Sequence, residues 1–487
     1  MTRDPLPETV LAAYRRAVSR RAPWEGLWRD CFDHCLPGRP GQGAVPIYDG
    51  TGPDAAEQLA ASLLAELTPP WGAWFGLVPA RAETDALLCA ALEDSARQLS
   101  AEMDRANFAV EMHQAFLDLV IAGTAVLQVE ENAPGEPAVL RFTAVPLLEA
   151  ALDEGPTGRL DTVFRRQMLT AAEIALRFPE ARLPKSLGER DEAEPRRHSV
   201  IERVAPDMRG FAWHAVLDDA AGAPILLASG RFATSPYIAF RWLRAPGETY
   251  GRSPVMKALP DIRTANKVVE LTLKNASIAV AGIWQAEDDG VLNPANIRLV
   301  PGAIIPKAVG SAGLTPLAAP GKFDVSQLVL GDLRTRIRHA LLADRLGPVK
   351  SPTMTATEVL ERSAEMARLL GAVYGRLQTE LLTPLLLRCA AILRRRGVVP
   401  ADHMPDGHDV AIAYRSPLAQ VQARGDAANT LLWLEAVGRM GAEAAASVDT
   451  VAAARHLARV LGVAPDLLRE PAPAAALPAI PLPPSAA

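Results

Sequence analysis

The sequence predicts an α+β protein that is mainly helical. Apolar residues recur three or four positions apart through most of the chain before residue 123 and again after residue 253. Between them, residues 124–245 change to short, partly alternating segments divided by Gly, Pro and Asp, which favours a region rich in sheet. A chain of 487 residues has material for about two to four compact units.

Composition restricts the function classes. The formal net charge is -5, with 51 Lys and Arg against 56 Asp and Glu, so no basic footprint for gripping nucleic acid is evident. The four cysteines lack a disulfide-framework pattern, and no charged start precedes an apolar run, which fits a reducing cytoplasm. No apolar window reaches the roughly 20 residues that a spanning helix needs, so we expect no transmembrane segment.

Helices are expected first. Helical spacing runs from Pro7 to Arg21 and extends toward Cys35. The stretch from Tyr48 to Leu77, YDGTGPDAAEQLAASLLAELTPPWGAWFGL, combines a turn, Pro53 at a first helical position, a leucine stripe and a double proline that stops the helix. The aromatic residues after the prolines must then be buried or docked. A further helical pattern fills Thr84 to Ala122.

Strands are expected next, in six segments of the sheet-rich region. Their sequences alternate only in part and are separated by turn-forming residues. They are Thr124–Glu130, Ala138–Val145, Thr162–Met168, His198–Ala205, Phe211–Asp218 and Ile225–Phe232.

Two helices that flank a small irregular segment are predicted to form a stalk. Ser253 can cap the first helix with Pro254 at its first position, and Pro260 should kink or restart it before Gly282. The second stretch, Phe323 to Leu346, has a similar length of about 35 Å. The segment between them is rich in Gly and Pro, with candidate strands at Asn296–Val300 and Ala303–Lys307.

The longest helix should begin at Thr355, which has capping-box spacing with Glu358, and should run to Leu393 with a kink at Pro384. Ala-rich helices are expected from Ala419 to Leu461. The segment 471–487 is so rich in Pro and Ala that we expect it to be disordered or extended.

Motifs of strong catalytic or metal chemistry are absent from the sequence. No phosphate loop, nucleophile elbow, HExxH or paired CxxC is present. We therefore predict no catalytic residue, no metal and no cofactor. Three weaker groupings are better explained by structure. Cys31, His34 and Cys35 lack a fourth zinc ligand with matching spacing, so we expect reduced, partly buried residues. We expect His403 and His408, with Asp402, Asp406 and Asp409, to lie in a solvated loop, and Glu287, Asp288 and Asp289 before Gly290 to form a turn.

Five segments in order resemble the portal proteins of T7-like short-tailed bacteriophages, the head-to-tail connecting proteins. They are the stretch from Tyr48 to Leu77, GETYGRSPVMKALPDIRTANKVVE from Gly247, TMTATEVLERSAEMARLLGAVYGRLQTELLTPLL from Thr353, RRRGVVP from Arg394 and YRSPLAQVQ from Tyr414. The resemblance covers most of residues 10 to 465. The short, Ala-rich end of the chain departs from the family pattern.

The resemblance implies a ring-shaped homo-oligomer, usually a dodecamer, at one capsid vertex, through which double-stranded DNA is packaged and ejected. The subunit would have a wing, stem, clip and crown. These would be residues 1–253 as wing, 254–282 and 323–346 as stem helices, 283–322 as clip, 347–354 as channel loop, 355–414 as long wing helix and exit, and 415–470 as crown, followed by the tail 471–487.

The same resemblance implies the partners and the location. The partners would be further copies of the chain, DNA, terminase, the major capsid protein, scaffolding protein and tail adaptor proteins, with no membrane. The ring would be assembled in the host cytoplasm and would reside in the virion.

Two sets of residues are candidates for contact with DNA. The loop residues Val349, Lys350 and Ser351 fall where the family places its channel loop, although Lys350 can equally be an exposed loop lysine. The basic set Arg334, Arg336, Arg338 and Arg345 is spread around its helix, so it suits either a channel wall facing phosphates or solvated ion pairs.

Two rival functions stay open at the sequence level. One is another structural tail or adaptor component of a tailed phage, which would lack the order of stem, clip, stem and long helix. The other is an enzyme of unrecognised class, which would need a pocket where His, Cys or carboxylate groups converge.

Overall fold

The computed structural model describes most of the chain. The described residues are 7–36, 45–70, 72–80, 86–133, 135–184, 196–218, 223–281, 284–286, 309–310, 314–316, 323–346, 371–405, 409–415, 417–441 and 446–460. Within them, helices and antiparallel sheets are combined in one mixed fold. None of the helices in these ranges is both long and apolar enough to cross a bilayer.

Four helices lie in the N-terminal part: α1 (Pro7–Cys35), α2 (Thr51–Leu67), α3 (Ala86–Arg105) and α4 (Phe108–Ala122). The predicted helix up to Cys35 is confirmed as one element. Helix α2 begins two residues before the predicted Pro53, because the Asp49 carboxylate accepts the Thr51 backbone N–H at 3.0 Å. Of the predicted stripe of four leucines, Leu59, Leu63 and Leu67 are buried and Leu64 is half-buried.

In its described residues, the sheet-rich region contains two antiparallel sheets. Their strands are β2 (Thr124–Glu131), β3 (Leu140–Ala144), β4 (Ala150–Asp153), β5 (Thr162–Thr170), β6 (Arg197–Asp207), β7 (Gly210–Asp218), β8 (Ile225–Phe232) and β9 (Tyr237–Arg241). The orders are β3-β2-β9 and β4-β5-β6-β7-β8, and the short helix α5 (Ala171–Arg177) follows β5. The six predicted strands are confirmed. Strands β4 and β9 were missed, since one is four residues long and the other is buried throughout and shows no alternation.

The stretch from Tyr48 to Leu77 is named the signature stretch below, and its aromatic exit leads into strand β1 (Phe75–Pro79). It pairs antiparallel with β12 (Val410–Tyr414), with Phe75 opposite Tyr414. Trp74 and Phe75 are buried, so the prediction that this segment is buried or docked is confirmed. The pairing brings residues more than 300 positions apart in sequence into one small sheet.

Two helices form the predicted stalk-like pair. Helix α6 (Pro254–Ala281) begins as predicted, with the Met256 N–H bonded to Ser253 Oγ at 2.9 Å, and it continues through Pro260 without restarting. Helix α7 (Phe323–Ala340) is shorter than the predicted stretch to Leu346. A positive φ of 58° at Leu342 breaks it before the single turn α8 (Ala343–Leu346).

The two helices of the pair are antiparallel. Asp261, near the start of α6, contacts Arg336, near the end of α7, whereas the short strands β10 (Trp284–Ala286) and β11 (Leu314–Pro316) pair beyond the opposite ends of the helices. The candidate strands 296–300 and 303–307 and most of the segment between the helices lie outside the described residues.

The long helix is described from residue 371. Residues 371–377, a π-helical turn (Gln378–Leu382) and Thr383–Arg395 form the continuous rod α9. Its predicted beginning at Thr355 lies outside the described residues. In place of a simple kink at Pro384, the Thr383 N–H bonds to the Gln378 carbonyl five residues back, so the π turn adjusts the backbone just before the proline.

The end of the described chain is helical. A 3-10 turn (Ala401–His403) precedes β12, and α10 (Pro417–Arg439) and α11 (Thr450–Val460) follow it. The predicted Ala-rich helices are therefore confirmed, and the tail 471–487 is outside the described residues. The largest hydrophobic cluster joins α2, α4, strand β2, the start of α6 and the rod α9, so the helix pair emerges directly from the main core.

Candidate functional site

The base of the helix pair is the end at which Asp261 of α6 contacts Arg336 of α7. The signature stretch anchors this base through Asp49. The Asp49 carboxylate accepts hydrogen bonds from the Thr51 backbone N–H through Oδ1 and from Arg334 through Oδ2, at 3.0 and 2.9 Å. Arg334 Nη2 lies 2.8 Å from the same Oδ2. The carboxylate side chain is almost fully buried at 2% exposure, while that of Arg334 is 40% exposed. One buried carboxylate therefore contacts both the first residue of α2 and Arg334 of α7.

Asn266 of α6 completes this anchor from the other side. Its Oδ1 accepts the backbone N–H groups of Tyr48 and Asp49 at 2.6 and 3.1 Å, and its Nδ2 donates to the Pro46 carbonyl at 3.0 Å. The turn before α2 is thus held by both helices of the pair. No pattern in the sequence links Asp49 to Asn266, because the two residues are more than 200 positions apart.

Close backbone packing and an ion pair reinforce the base. A Cβ added to Gly52 would lie 3.1 Å from the Ile262 side chain, so α2 and α6 approach closely because residue 52 has no side chain. Arg336 Nη2 lies 2.9 Å from Asp261 Oδ1 and links α7 to α6.

The electrostatics of Asp49 favour its charged form. Burial by itself would raise its pKa, but the hydrogen bonds from Thr51 and Arg334 outweigh burial and hold the pKa below the usual 3.8. The anchor is therefore ionised at neutral pH, and its contribution depends on that charge.

The predicted basic residues have different environments in the monomer. Arg334 and Arg336 form the ion pairs just described, while Arg338 is exposed and makes no ion pair within the described ranges. The Arg345 side chain and the loop residues Val349, Lys350 and Ser351 lie outside the described residues. Where described, the basic set is therefore not one continuous stripe.

The outer faces of the helix pair carry apolar side chains in water. Leu271 and Leu273 of α6 are 48% and 51% exposed, and Leu328 and Val329 of α7 are 78% and 44% exposed. All four lie away from the base, on the half of the pair beyond Asp261 and Arg336. Exposed apolar groups clustered on a projecting element are typical of an interaction surface.

The weaker groupings from the sequence are mostly structural. Cys31 and Cys35 are fully buried, more so than the sequence predicts, and burial raises the pKa of each thiol to about 12, which favours the protonated form. The neighbouring His34 has its Nδ1 2.8 Å from the Asp30 carbonyl oxygen. Over the described ranges, no three His, Cys, Asp or Glu residues are arranged to hold a metal ion.

His403 is not in a purely solvated loop. Its Nδ1 lies 2.7 Å from the hydroxyl of Ser95 on α3, and Ser95 is only 3% exposed. The contact ties the 3-10 turn to α3. His408, Asp406 and residues 287–289 are outside the described residues, and Asp409 is at the start of the segment that leads into β12.

These contacts fix the helix pair to the rest of the fold through residues of the signature stretch. The bacteriophage head to tail connecting protein family matches residues 8–468 of the sequence. The chain therefore belongs to this family.

Individual relatives agree with the family match. The chain is 28% identical to a probable portal protein of Bordetella phage BPP-1, over 94% of this chain and 88% of the relative. It is 22% identical to the portal protein of Escherichia phage T7, over 77% and 72% of the two chains. A solved chain from the neck of an empty gene transfer agent particle aligns with 83% of this chain and 89% of its own length. The TM-score of this alignment is 0.38 and the sequence identity is 13%.

Proposed function

We propose that this chain is the portal subunit of a tailed bacteriophage. Copies of it form a closed ring, most simply a dodecamer, at one capsid vertex, and double-stranded DNA enters and leaves the head through the ring. Membership of the head to tail connecting protein family and the named portal relatives support this function.

Within the ring, the subunit is divided as the resemblance implies. Residues 1–253 form the wing and 415–470 the crown, with the tail 471–487 after them. The antiparallel pair α6 and α7 is the core of the stem segments 254–282 and 323–346, residues 283–322 are the clip, 347–354 the channel loop, and 355–414 the long wing helix and exit. The direct emergence of the pair from the main core supports this division.

The observation that carries the proposal is the exposed apolar surface of the helix pair. Leu271 on α6 and Leu328 on α7 are largely in water although both helices are anchored at their base. Neighbouring subunits that pack their helix pairs side by side would cover these groups. A contact of this heterologous kind generates a ring when the rotation between subunits closes.

The charge distribution suits a channel that lets DNA slide. The chain is mildly acidic, and Arg334 and Arg336 are neutralised by Asp49 and Asp261 within the subunit. Strong phosphate contacts would slow translocation, because each neutralised phosphate adds to the binding free energy. Weak contacts from a ring of Arg338 and loop Lys350 side chains would steady DNA without holding it.

The proposed partners follow from this position. Terminase docks near the clip and supplies the energy of packaging, tail adaptors attach at the same end, and capsid and scaffolding proteins surround the wing. The chain itself carries out no chemistry. Steady ATP hydrolysis by the purified protein would contradict this last point.

Native mass measurement and negative-stain imaging test the ring. The wild-type protein should give one high oligomer with a central hole, and the double variant L271D/L328D should dissociate because two carboxylates would be buried at each contact. The control is L176D, which changes an apolar residue that is 86% exposed on α5, away from the pair. A wild-type monomer at micromolar concentration, or rings unaffected by L271D/L328D, would overturn the proposal.

A further inference from the structure

A groove of about 430 Å³ lies between α10 and α11, away from the helix pair. One wall is α10, which contributes Thr430 and Trp433. The other wall is α11 and the turn before it, with lining residues Ser447, Val448, Asp449, Ala452, Ala453 and His456. The lining thus combines one large indole with two small alanine side chains.

The start of α11 is held in place, while the indole on the α10 wall of the groove is half exposed. Asp449 holds the start of α11. Its Oδ1 accepts the Val451 and Ala452 backbone N–H groups at 3.0 and 2.9 Å. Trp433 is 52% exposed. An indole with half its surface in water, opposite methyl groups, is the kind of surface on which proline rings pack.

The chain contains a segment that matches this chemistry. Residues 471–487 include six prolines and no charged side chain. In a polyproline II helix, which has three residues per turn, Leu477, Ile480 and Pro483 would share one edge. The segment lies beyond residue 468, where the family match ends, so the family does not account for it.

The segment is also within reach. His456 lines the groove, and α11 ends only four residues later at Val460. The ten residues 461–470 can span up to about 30 Å when extended, which is ample for the chain to turn back over α11. A tethered segment has an effective concentration of about a millimolar, so even weak docking would be well occupied.

We propose that residues 477–484 of this chain dock as a polyproline II helix in the groove between α10 and α11, with proline rings on Trp433. Docking covers the exposed indole and ties the Pro/Ala segment to the C-terminal helices. This inference is independent of ring formation and of the channel.

Peptide binding tests the proposal. A fluorescein-labelled peptide of residues 471–487 is titrated into the chain truncated after Glu470, and its anisotropy is followed. The truncated chain should bind saturably. The full chain should bind the peptide at least about tenfold more weakly, because its own segment competes for the groove. The same peptide with Pro478, Pro481, Pro483 and Pro484 changed to Ala should also bind more weakly.

Variants of the truncated chain locate the site. W433A should weaken binding by about tenfold or more, as loss of an aromatic anchor does. A452E, which fills the groove from an exposed helical position and leaves Trp433 intact, should do the same. L432A, the neighbouring residue that is 64% exposed and does not line the groove, is the control and should bind normally.

Three results would overturn the proposal. They are no saturable binding to the truncated chain, binding that is unchanged by both W433A and A452E, and a loss of native mass in W433A, which would assign the groove to a contact with a second copy.

Discussion

Arg241 and Glu380 form a buried ion pair that joins the three-stranded sheet to the rod α9. Arg241 ends strand β9 with its side chain fully buried, and its Nη2 lies 2.8 Å from Glu380 Oε1. Glu380 Oε2 accepts the Arg241 backbone N–H at 3.0 Å. Since Glu380 lies within the π-helical turn, the irregular part of the rod is where the sheet is attached. The remaining Arg241 N–H groups reach the carbonyls of Thr249 and Gly158.

Replacing Glu380 with Gln should lower the free energy of unfolding by about 3 kcal/mol, because it leaves the buried guanidinium without its main counterion. Glu154 stays near Arg241, but at 3.8 Å. Thermal and denaturant unfolding would measure the loss. The matched control is E435Q, since the Glu435–Arg439 pair is exposed and should contribute less than about 0.5 kcal/mol. Equal effects of the two substitutions would contradict a special role for the buried pair.

The Asp49 anchor should make stability depend on acid. The folded-state pKa of Asp49 lies below its ordinary 3.8, so its contribution is fully present above that value and is lost as the pH falls through the lower folded value. The variant D49N, which cannot pair with Arg334 as an ion, should be less stable than wild type at pH 7. The difference should shrink as the pH falls below about 4.

Unfolding temperatures of wild type and D49N across pH 2.5 to 7 would check this prediction. Other carboxylates with lowered pKa, such as Glu93 bonded to Arg415, remain in both proteins, so the difference between the two curves isolates Asp49. A constant difference at every pH would show that the Asp49 charge is not the source of its effect.

Gly123 should be intolerant of any side chain. It ends α4 with φ of 76°, and a Cβ there would lie 2.5 Å from the Gly251 carbonyl oxygen. Left-handed backbone costs a residue with a side chain about 1 to 2 kcal/mol. Changing Gly123 to Ala should lower the free energy of unfolding by more than this, because the added Cβ also clashes with Gly251. Gly135 is the control, because it has φ of 101° but nothing within 4 Å of an added Cβ. Equal losses in G123A and G135A, measured by denaturant unfolding, would rule out the close contact as the cause.

Deleting the loop Gly347–Met354 should leave ring assembly intact and reduce DNA packaging or retention. A ring would repeat Lys350 around the channel, where each exposed contact contributes about a kilocalorie or less and is screened by salt. Lys350→Ala should therefore have a smaller effect than the deletion. Native mass and packaged-DNA assays would separate the outcomes. Loss of the ring would assign the loop a structural role, and normal packaging would exclude a channel role.

Local signals predicted many elements well. Ser253 caps α6 through the predicted hydrogen bond, and the apolar spacing before Cys35 gave one continuous helix. These elements depend on neighbours in sequence, so their periodicity and caps are visible without the fold. The family resemblance, carried by five motifs, was likewise predicted from the chain and is confirmed by the family match.

Elements that depend on distant partners were predicted poorly or missed. Strand β1 exists because β12 pairs with it, and the four-residue strand β4 is stabilised by β5. The end of α7 at Ala340 depends on Leu342, whose unusual φ leaves no mark in a pattern that otherwise suits a helix. Short or fully buried segments carry too little periodicity to be recognised.

The sequence by itself determined the fold class, most helix positions and the family, because these depend on periodic burial, caps and linear motifs. Only the tertiary structure decided what the motif residues do. Asp49 and Asn266 are more than 200 positions apart, yet they form one anchor, and Gly123 needs its small size because Gly251 lies against it. The physical reason is that burial and ion pairing are properties of three-dimensional neighbours, and a linear sequence does not state which distant residues will meet.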